Sequence, residues 1–432
     1  MPRAFVSVDE SSTLPESVRT KLTEELDTHF AATRKIRDDY SAFGGVFPAT
    51  EVAQDAYFYD NGPTDYTAMT GTLWNSPNLN TQGNNLVAAN PEVPAIGCTN
   101  KSTNRTVGSI VDIEFILDGD KFGIHFQGFG YVDSQVWVEH DGVMKRIRDT
   151  PLVGDNDGFI FRQITFTSRA RRRIRFTLPY LFFIQIIHEG NAVLRRSPDR
   201  PLMVTTGDSY VDASTALNAG SAKTFSTFGI NDALIECTGF AIARQGQGGT
   251  GYFNNGTGAA SDALGPGGTS RFFSTDRLDT IKALGVGSIS YLLVNGTIND
   301  GELSGGRAGM RARALEGFEA VSDWDPGISI IVLGPEALND PPAGGASDLN
   351  RQGLMDAVAE HPQCVGFLDV SKPGLAWWFG TGTEADPNTW DAQSKLVGMD
   401  GVHGNYDLYA LYGRNTADEM GDFDVPAVRT VA

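Results

Sequence analysis

Three patterns of hydrophobic and polar positions follow one another along the chain. Residues 15–37 (PESVRTKLTEELDTHFAATRKIR) set Val18, Leu22, Leu26 and Phe30 four apart, with Pro15 near the start, and predict an amphipathic helix. Residues 40–105 carry little periodicity and many Gly, Asn, Pro and Thr, and read as long connections with short strands. From Thr106 the period becomes two. Val111, Ile113 and Phe115 alternate with polar neighbours, and Phe122, Ile124 and Phe126 repeat the pattern. A strand over Gln135–His140 runs into Asp141-Gly142, a hairpin signal, and further strands are predicted at Phe159–Thr167 and Arg173–Phe176. Short strands with turns at this rhythm predict an antiparallel β-sandwich that ends near Asp199.

From Pro201 the grammar changes to apolar strands alternating with helices. Strands are predicted at Leu202–Thr205, Leu234–Ile242, Ile289–Val294, Ile328–Leu333 and Val365–Val370. Helices are predicted around Asp276–Ala283, Ala308–Phe318 and Leu349–Glu360. This alternation implies a parallel sheet covered on both faces. The expected division is an N-terminal helix and irregular extension (1–105), a β-sandwich (106–200) and an α/β domain (201–432).

Composition narrows the partners more than the fold. Lys+Arg 34 against Asp+Glu 53 gives a net charge of −19. So acidic a surface repels phosphate backbones and anionic lipid heads, so neither nucleic acid nor a membrane surface is an expected partner. No run approaches the roughly 18 apolar residues of a spanning helix. Cys98, Cys237 and Cys364 are scattered and odd in number, which gives no disulfide framework and no CxxC metal pair. The opening MPRAFVSVDESS lacks the apolar core of a secretory signal, so export by that route is not expected. Fifty glycines in 432 residues exceed the typical share of roughly 7% and imply a loop-rich chain. The run RARRRIR at 169–175 has two readings: a polyanion site, or a solvated strand face balanced by the acidic remainder.

In a parallel sheet the chemistry sits beyond the carboxyl ends of the strands, so the residues that follow each strand carry the argument. After the first strand, TTGDSYVD places Ser209 at a strand-to-helix turn, where free N–H groups favour developing negative charge. The motif is also an ordinary turn and N-cap. After the second, ARQGQGGTGY offers glycines that can expose a backbone N–H, or simply form a tight loop; the Lys-Ser/Thr of a P-loop is absent. After the third, VNGTIND puts Asn299 at the sheet edge, as an amide donor or a turn former. After the fifth, GMDGVHGNY spaces Asp400 and His403 so that the carboxylate can orient the imidazole. His361 precedes a buried strand and reads as structural.

Taken in order, GDSY, GQGGTGY, GTIND and DGVH resemble the four blocks of the SGNH (GDSL-like) hydrolase superfamily, over about residues 201–415. The resemblance implies a flavodoxin-like three-layer α/β/α domain with a parallel sheet, preceded here by the antiparallel, jelly-roll-like β-sandwich. It implies Ser209 as nucleophile, His403 as general base and Asp400 as its orienting carboxylate. The oxyanion hole would be Ser209 N–H, Gly249 N–H and the Asn299 amide, with Gly248 a close rival for Gly249. The sequence departs from the usual pattern twice. Gly404 stands where a Pro commonly follows the His, and Tyr210 after GDS is bulkier than usual, so it is expected to reshape the pocket floor. No cofactor is implied. There is no HExxH, and Asp155-Asn156-Asp157 is too short for a calcium loop.

A β-sandwich joined to such a domain is similar to two-domain carbohydrate esterases that remove acetyl groups from polysaccharides. The expected activity is therefore hydrolysis of short acyl esters on a carbohydrate through an acyl-enzyme. Trp377 and Trp378, with Phe379 and Trp390, lie before Asp400 and can stack on a sugar or pack beneath their loop. The first hundred residues, with a leading helix, an irregular Gly/Asn/Thr-rich stretch and no secretory signal, resemble modular phage tail-associated proteins, which implies an extracellular place in a virion. An enzyme exported by another route or acting in the cytoplasm is the alternative, and the helix reads equally as a homo-oligomerisation element or a packed N-terminal arm. Other readings are a lipase- or thioesterase-type hydrolase and a non-catalytic glycan-binding adhesin on the same fold.

Overall fold

The computed structural model describes residues 56–59, 69–73, 80–83, 86–90, 93–98, 110–128, 133–140, 143–146, 152–153, 159–179, 181–189, 191–197, 201–211, 230–238, 240–265, 269–335 and 344–370, with positions 412–413, 416–417 and 420. The helix expected over 15–37 lies outside them. The chain divides into two compact units. Described residues up to Ser197 belong to one and those from Pro201 onward to the other.

The first unit is a twelve-stranded sheet in which every pairing is antiparallel. Its spine is a pair of long strands, Ile110–Gly128 and Phe159–Pro179. Each joins what the periodicity suggests are two shorter strands. The register slips between Thr165 and Ala170, a bulge opposite Gly119–Lys121 that bends the pair. The bend also switches the inward parity of the first strand, from Ile113, Phe115 and Leu117 to Phe122 and Ile124. Phe115 still meets Phe122 and Phe176 edge to face, at 5.6 and 6.2 Å between centroids, so one core is kept across the switch. Asp133–His140 pairs with Val143–Arg146 from His140↔Val143 outward, the hairpin that Asp141-Gly142 signals. Five strands come from the stretch of weak periodicity: Ala56–Tyr59, Met69–Leu73, Asn80–Gly83, Leu86–Asn90 and Val93–Cys98. The sheet therefore begins well before residue 106.

The arginine run is largely engaged by the sheet itself. Arg173 Nε donates to Glu114 at 2.7 Å, and Arg169 Nε to Asp118 at 3.0 Å. The Arg175 guanidinium stacks over buried Trp137 at 4.4 Å, and that of Arg172 over Phe166 at 4.0 Å.

The second unit is a five-stranded parallel sheet. We number its strands β1 (Leu202–Gly207), β2 (Ala241–Gly246), β3 (Ile289–Asn295), β4 (Ser329–Leu333) and β5 (Cys364–Leu368). The spatial order is β2-β1-β3-β4-β5, the flavodoxin-like winding, with its topological switch point at β1/β3. Among the described residues, helices with full bounds are α1 (Ile230–Thr238), α2 (Thr275–Lys282), α3 (Arg307–Ser322) and α4 (Ala346–Glu360). Because side chains alternate across a strand, β1 sends Met203 to one face and Leu202 and Val204 to the other. The Met203 face packs on Ile230, Leu234 and Ile235 of α1 and on Tyr412, Ala417 and Met420. The opposite face packs on Ile281, on Met310, Ala314, Phe318 and Val321, and on Leu354, Ala357 and Val358. The α/β/α layering expected from the sequence is thus present. Among the described residues, no helix is long and apolar enough to cross a membrane.

One element differs from expectation. The strand expected over Leu234–Ile242 is instead the end of α1 followed by β2. Ile230, Leu234 and Ile235 share a helical face, and the helix closes where the Thr238 hydroxyl donates to Leu234 O at 2.6 Å and accepts from Phe240 N at 3.3 Å. An apolar cluster at the end of a short helix imitates the start of a buried strand.

The end of β1 is tightly confined. A Cβ on Gly207 would overlap the Asn295 carbonyl oxygen and the Val211 side chain, and the backbone on one side leaves nothing to yield. Gly207→Ala should cost about 3 kcal/mol, seen as a lower urea midpoint at unchanged slope.

Candidate active site

Strand β1 stops at Gly207, and the chain turns at Asp208-Ser209. Val211 N donates to Asp208 O at 3.2 Å, and Tyr210 N to Asp208 Oδ1 at 3.0 Å, an Asx-type turn that holds Ser209 between them. Asp208 is wholly buried, and Ser209 is 7% exposed. Tyr210 is 0% exposed and packs in the apolar core with Ile230 and Leu234. Its side chain is thus part of the core on the α1 side of the sheet.

After β2, Gln247 N donates to Gly207 O at 3.0 Å, which ties the ends of the two strands together. Residues 247–250 form a turn in which Thr250 N and the Thr250 hydroxyl both donate to Gln247 O, at 3.3 and 2.6 Å. Gly249 is its third residue at φ +73°, the left-handed value that a type II turn needs there. The Gly249 N–H belongs to the central peptide of the turn and takes no part in the turn's own hydrogen bond. Gly249 is exposed, and Gly248 less so.

After β3 the chain passes Gly296 at φ +143° and Thr297 at φ +122°. A Cβ on Gly296 would lie 2.7 Å from Phe272 Cζ and 2.8 Å from Asp208 Oδ2, so only glycine lets the backbone cross the buried carboxylate. A β-branched residue at such a φ is strained, and strain of this kind concentrates where a chain must place a functional group. Two residues beyond Thr297 stands Asn299. Its Nδ2 donates to Thr250 O at 2.9 Å and lies 3.4 Å from Asp208 Oδ2. The amide thus bridges the residue before Ser209 and the residue after Gly249. Three segments widely separated in sequence meet at the switch point of the sheet. Asp400, His403, Trp377 and Trp378 lie outside the described residues.

Two buried charges that sequence reasoning passed over hold this edge together. Arg277 of α2 is 1% exposed. Its Nη1 donates to Gly207 O at 2.9 Å, Gln245 O at 3.0 Å and Thr206 Oγ1 at 3.1 Å, and its Nη2 to Thr250 Oγ1 at 2.7 Å. Asp300, beside Asn299, accepts from Tyr252 N at 2.9 Å, Phe253 N at 2.9 Å and Asn254 N at 3.0 Å. Burial pushes the Asp300 carboxyl above the ordinary range; the N–H groups of Phe253, Asn254 and Tyr252 and the Arg313 guanidinium pull it back. The one available signal was its place in GTIND directly after the asparagine. Arg277 had no signal at all.

His361 sits at the opposite edge of the sheet, before the amino end of β5. Its Nε2 lies 3.1 Å from Ser322 Oγ and its ring meets Phe318 edge to face, a packing role remote from the carboxyl edge. Burial lowers its pKa, with Glu319 opposing.

Neither a protein-family model nor a curated protein sequence matches the chain. Solved structures do match. A family two carbohydrate esterase from Cellvibrio japonicus is 14% identical, with 82% of this chain and 97% of that one covered at a TM-score of 0.54. A salicylyl-acyltransferase from a tetracycline biosynthetic pathway is 12% identical, covering 83% and 99% at 0.58. An active site mutant of a family two carbohydrate esterase from Clostridium thermocellum is 13% identical, covering 80% and 98% at 0.53. At such identities the likeness is one of fold.

Two stability tests follow from the buried groups. Arg277→Met leaves the Gly207 and Gln245 carbonyls without this donor and should cost about 3 kcal/mol or more by urea unfolding. For His361 the folded pKa is depressed below the ordinary 6.5, so its penalty begins as pH falls through that value, when the unfolded chain takes up the proton first. His361→Gln should flatten the loss of stability on acidification below about pH 6.5. The chain shares its fold with family two carbohydrate esterases from Cellvibrio japonicus and Clostridium thermocellum, and in this chain one unit carries a parallel sheet of order 2-1-3-4-5 and the other an antiparallel sheet.

Proposed function

We propose that the protein is a serine esterase that hydrolyses short-chain acyl esters, O-acetyl groups foremost, on a carbohydrate. The observation that carries this reading is the Asn299 amide, which links the Ser209 turn to the Gly249 turn at the switch point. The contacts of Asn299 with Asp208 and Thr250, the neighbours of Ser209 and Gly249, support a site in which a nucleophile and N–H donors meet, as acyl transfer requires.

In the proposed mechanism Ser209 Oγ attacks the ester carbonyl while His403, oriented by Asp400, takes the hydroxyl proton. Negative charge develops on the carbonyl oxygen and is met by the N–H groups of Ser209 and Gly249 and by the Asn299 amide. Each such donor is worth about 3–4 kcal/mol of barrier. His403 then returns the proton to the leaving alcohol. Water, activated by the same imidazole, next attacks the acyl-Ser209 ester, and the acid leaves with Ser209 restored. Trp377 and Trp378 are proposed to stack on the sugar.

The carbohydrate assignment draws on the two family two carbohydrate esterases with this fold. The acyltransferase of the same fold is, by its name, also an enzyme of acyl chemistry. Hydrolysis of p-nitrophenyl acetate, butyrate and octanoate by the wild type and Ser209→Ala tests the reading. The expected result is a rate that falls steeply with chain length and vanishes in Ser209→Ala. Octanoate preference points to a lipase-type enzyme. A fully active Ser209→Ala removes the nucleophile assignment, and an inactive wild type leaves the glycan-binding reading.

A further inference from the structure

Asn299 and Gly249 sit on separate loops 50 residues apart, yet a preorganised pair of donors must keep fixed positions relative to each other. The structure contains a device of that kind, and it is not one of the proposed reacting groups. Asp300 is 1% exposed, and its carboxylate faces three consecutive backbone N–H groups, those of Tyr252, Phe253 and Asn254. Two oxygens accept three donors, so the loop after Gly249 is curled around a single fixed anion. The fit extends to the loop's composition. A Cβ on Gly251 would overlap Asp300 Oδ1, so Gly251 is the residue that lets the loop close on the carboxylate. The same seam is stitched from the other side, where Asn254 Nδ2 donates to Asn299 O at 2.8 Å and Asn299 Nδ2 donates to Thr250 O at 2.9 Å. Five hydrogen bonds thus join residues 250–254 to residues 299–300.

We propose that Asp300 is the positioning residue of the oxyanion hole: by seating the 252–254 backbone on its carboxylate, it sets the Gly249 N–H and the Asn299 amide at a fixed separation. Asp300 touches no reacting atom. It acts through the two donors, and the inference rests on the esterase reading above. Donors held rigidly before reaction need no reorganisation as charge develops, so loosening the seam weakens transition-state binding and leaves ground-state binding nearly intact.

The test is Asp300→Asn in the full chain, assayed on p-nitrophenyl acetate beside the wild type and Ser209→Ala. The side-chain amide keeps the shape but turns N–H groups toward backbone N–H groups. The expected result is kcat lowered about 100-fold with KM within about threefold. Inhibition by methylboronic acid, which forms a tetrahedral adduct on the serine, should weaken in proportion to kcat. Asp300→Glu should fail to rescue, because Gly251 and the three N–H groups leave no space for another methylene. Far-UV circular dichroism establishes that each variant is folded. If Asp300→Asn does not fold, Gly251→Ala gives the second reading, since its methyl displaces the carboxylate while keeping the charge, and the same kcat and boronate losses are expected. A folded Asp300→Asn, or failing that a folded Gly251→Ala, with wild-type kcat and boronate affinity overturns the proposal. An inactive wild type, or an active Ser209→Ala, instead overturns the esterase reading beneath it.

Discussion

The Arg277 guanidinium donates to the Gly207 and Gln245 carbonyls and to the Thr206 and Thr250 hydroxyls from inside the protein. A strand that ends at a turn leaves carbonyl groups without ladder partners, and buried carbonyls without donors are costly. Here two neighbouring strands end side by side, and one charged, planar donor serves both. Because the same group also takes the Thr250 hydroxyl, the first turn of the Gly loop is fixed to the strand ends that launch Ser209. The carboxyl edge of the sheet can therefore be both buried and irregular, which a site with crossing backbones demands.

On that support the edge is built by close approach. Gly207 lets β1 pass the Asn295 carbonyl, Gly296 lets the chain after β3 pass the Asp208 carboxylate, and Gly251 lets the loop close on Asp300. Two buried acids divide the work. Asp208 holds the Ser209 turn through Tyr210 N, and Asp300 holds the Gly loop through three N–H groups. Asn299 lies between them and touches both segments. Glycine is abundant in this chain, and at these three positions it has a specific steric reason.

Much of this was legible in the sequence because it is local or periodic. The strands β1, β3, β4 and β5 are short apolar runs bounded by polar turns, and α2, α3 and α4 repeat at helical spacing, so both types of element declare themselves. Ser209, Gly249 and Asn299 each follow a strand, which the winding of a parallel sheet converts into nearness. The failures share a physical cause as well. Leu234 and Ile235 belong to a helix because tertiary packing against Met203 and Tyr291 uses their helical face, and a run of apolar letters does not carry that information. Arg277 and Asp300 bond to residues up to 71 positions away, so their roles exist only in the folded chain. In the β unit, the five early strands are only four to six residues long and take their order from the long strands they join, so no period marks them.

The central claim is that Ser209 is a nucleophile activated within this edge. Reaction with a fluorophosphonate, followed by peptide mass spectrometry, tests it without any assumption about the acyl group or the sugar. The account predicts a single stoichiometric adduct on the peptide that contains Ser209. Adducts on other residues, or no adduct on folded protein, would contradict it.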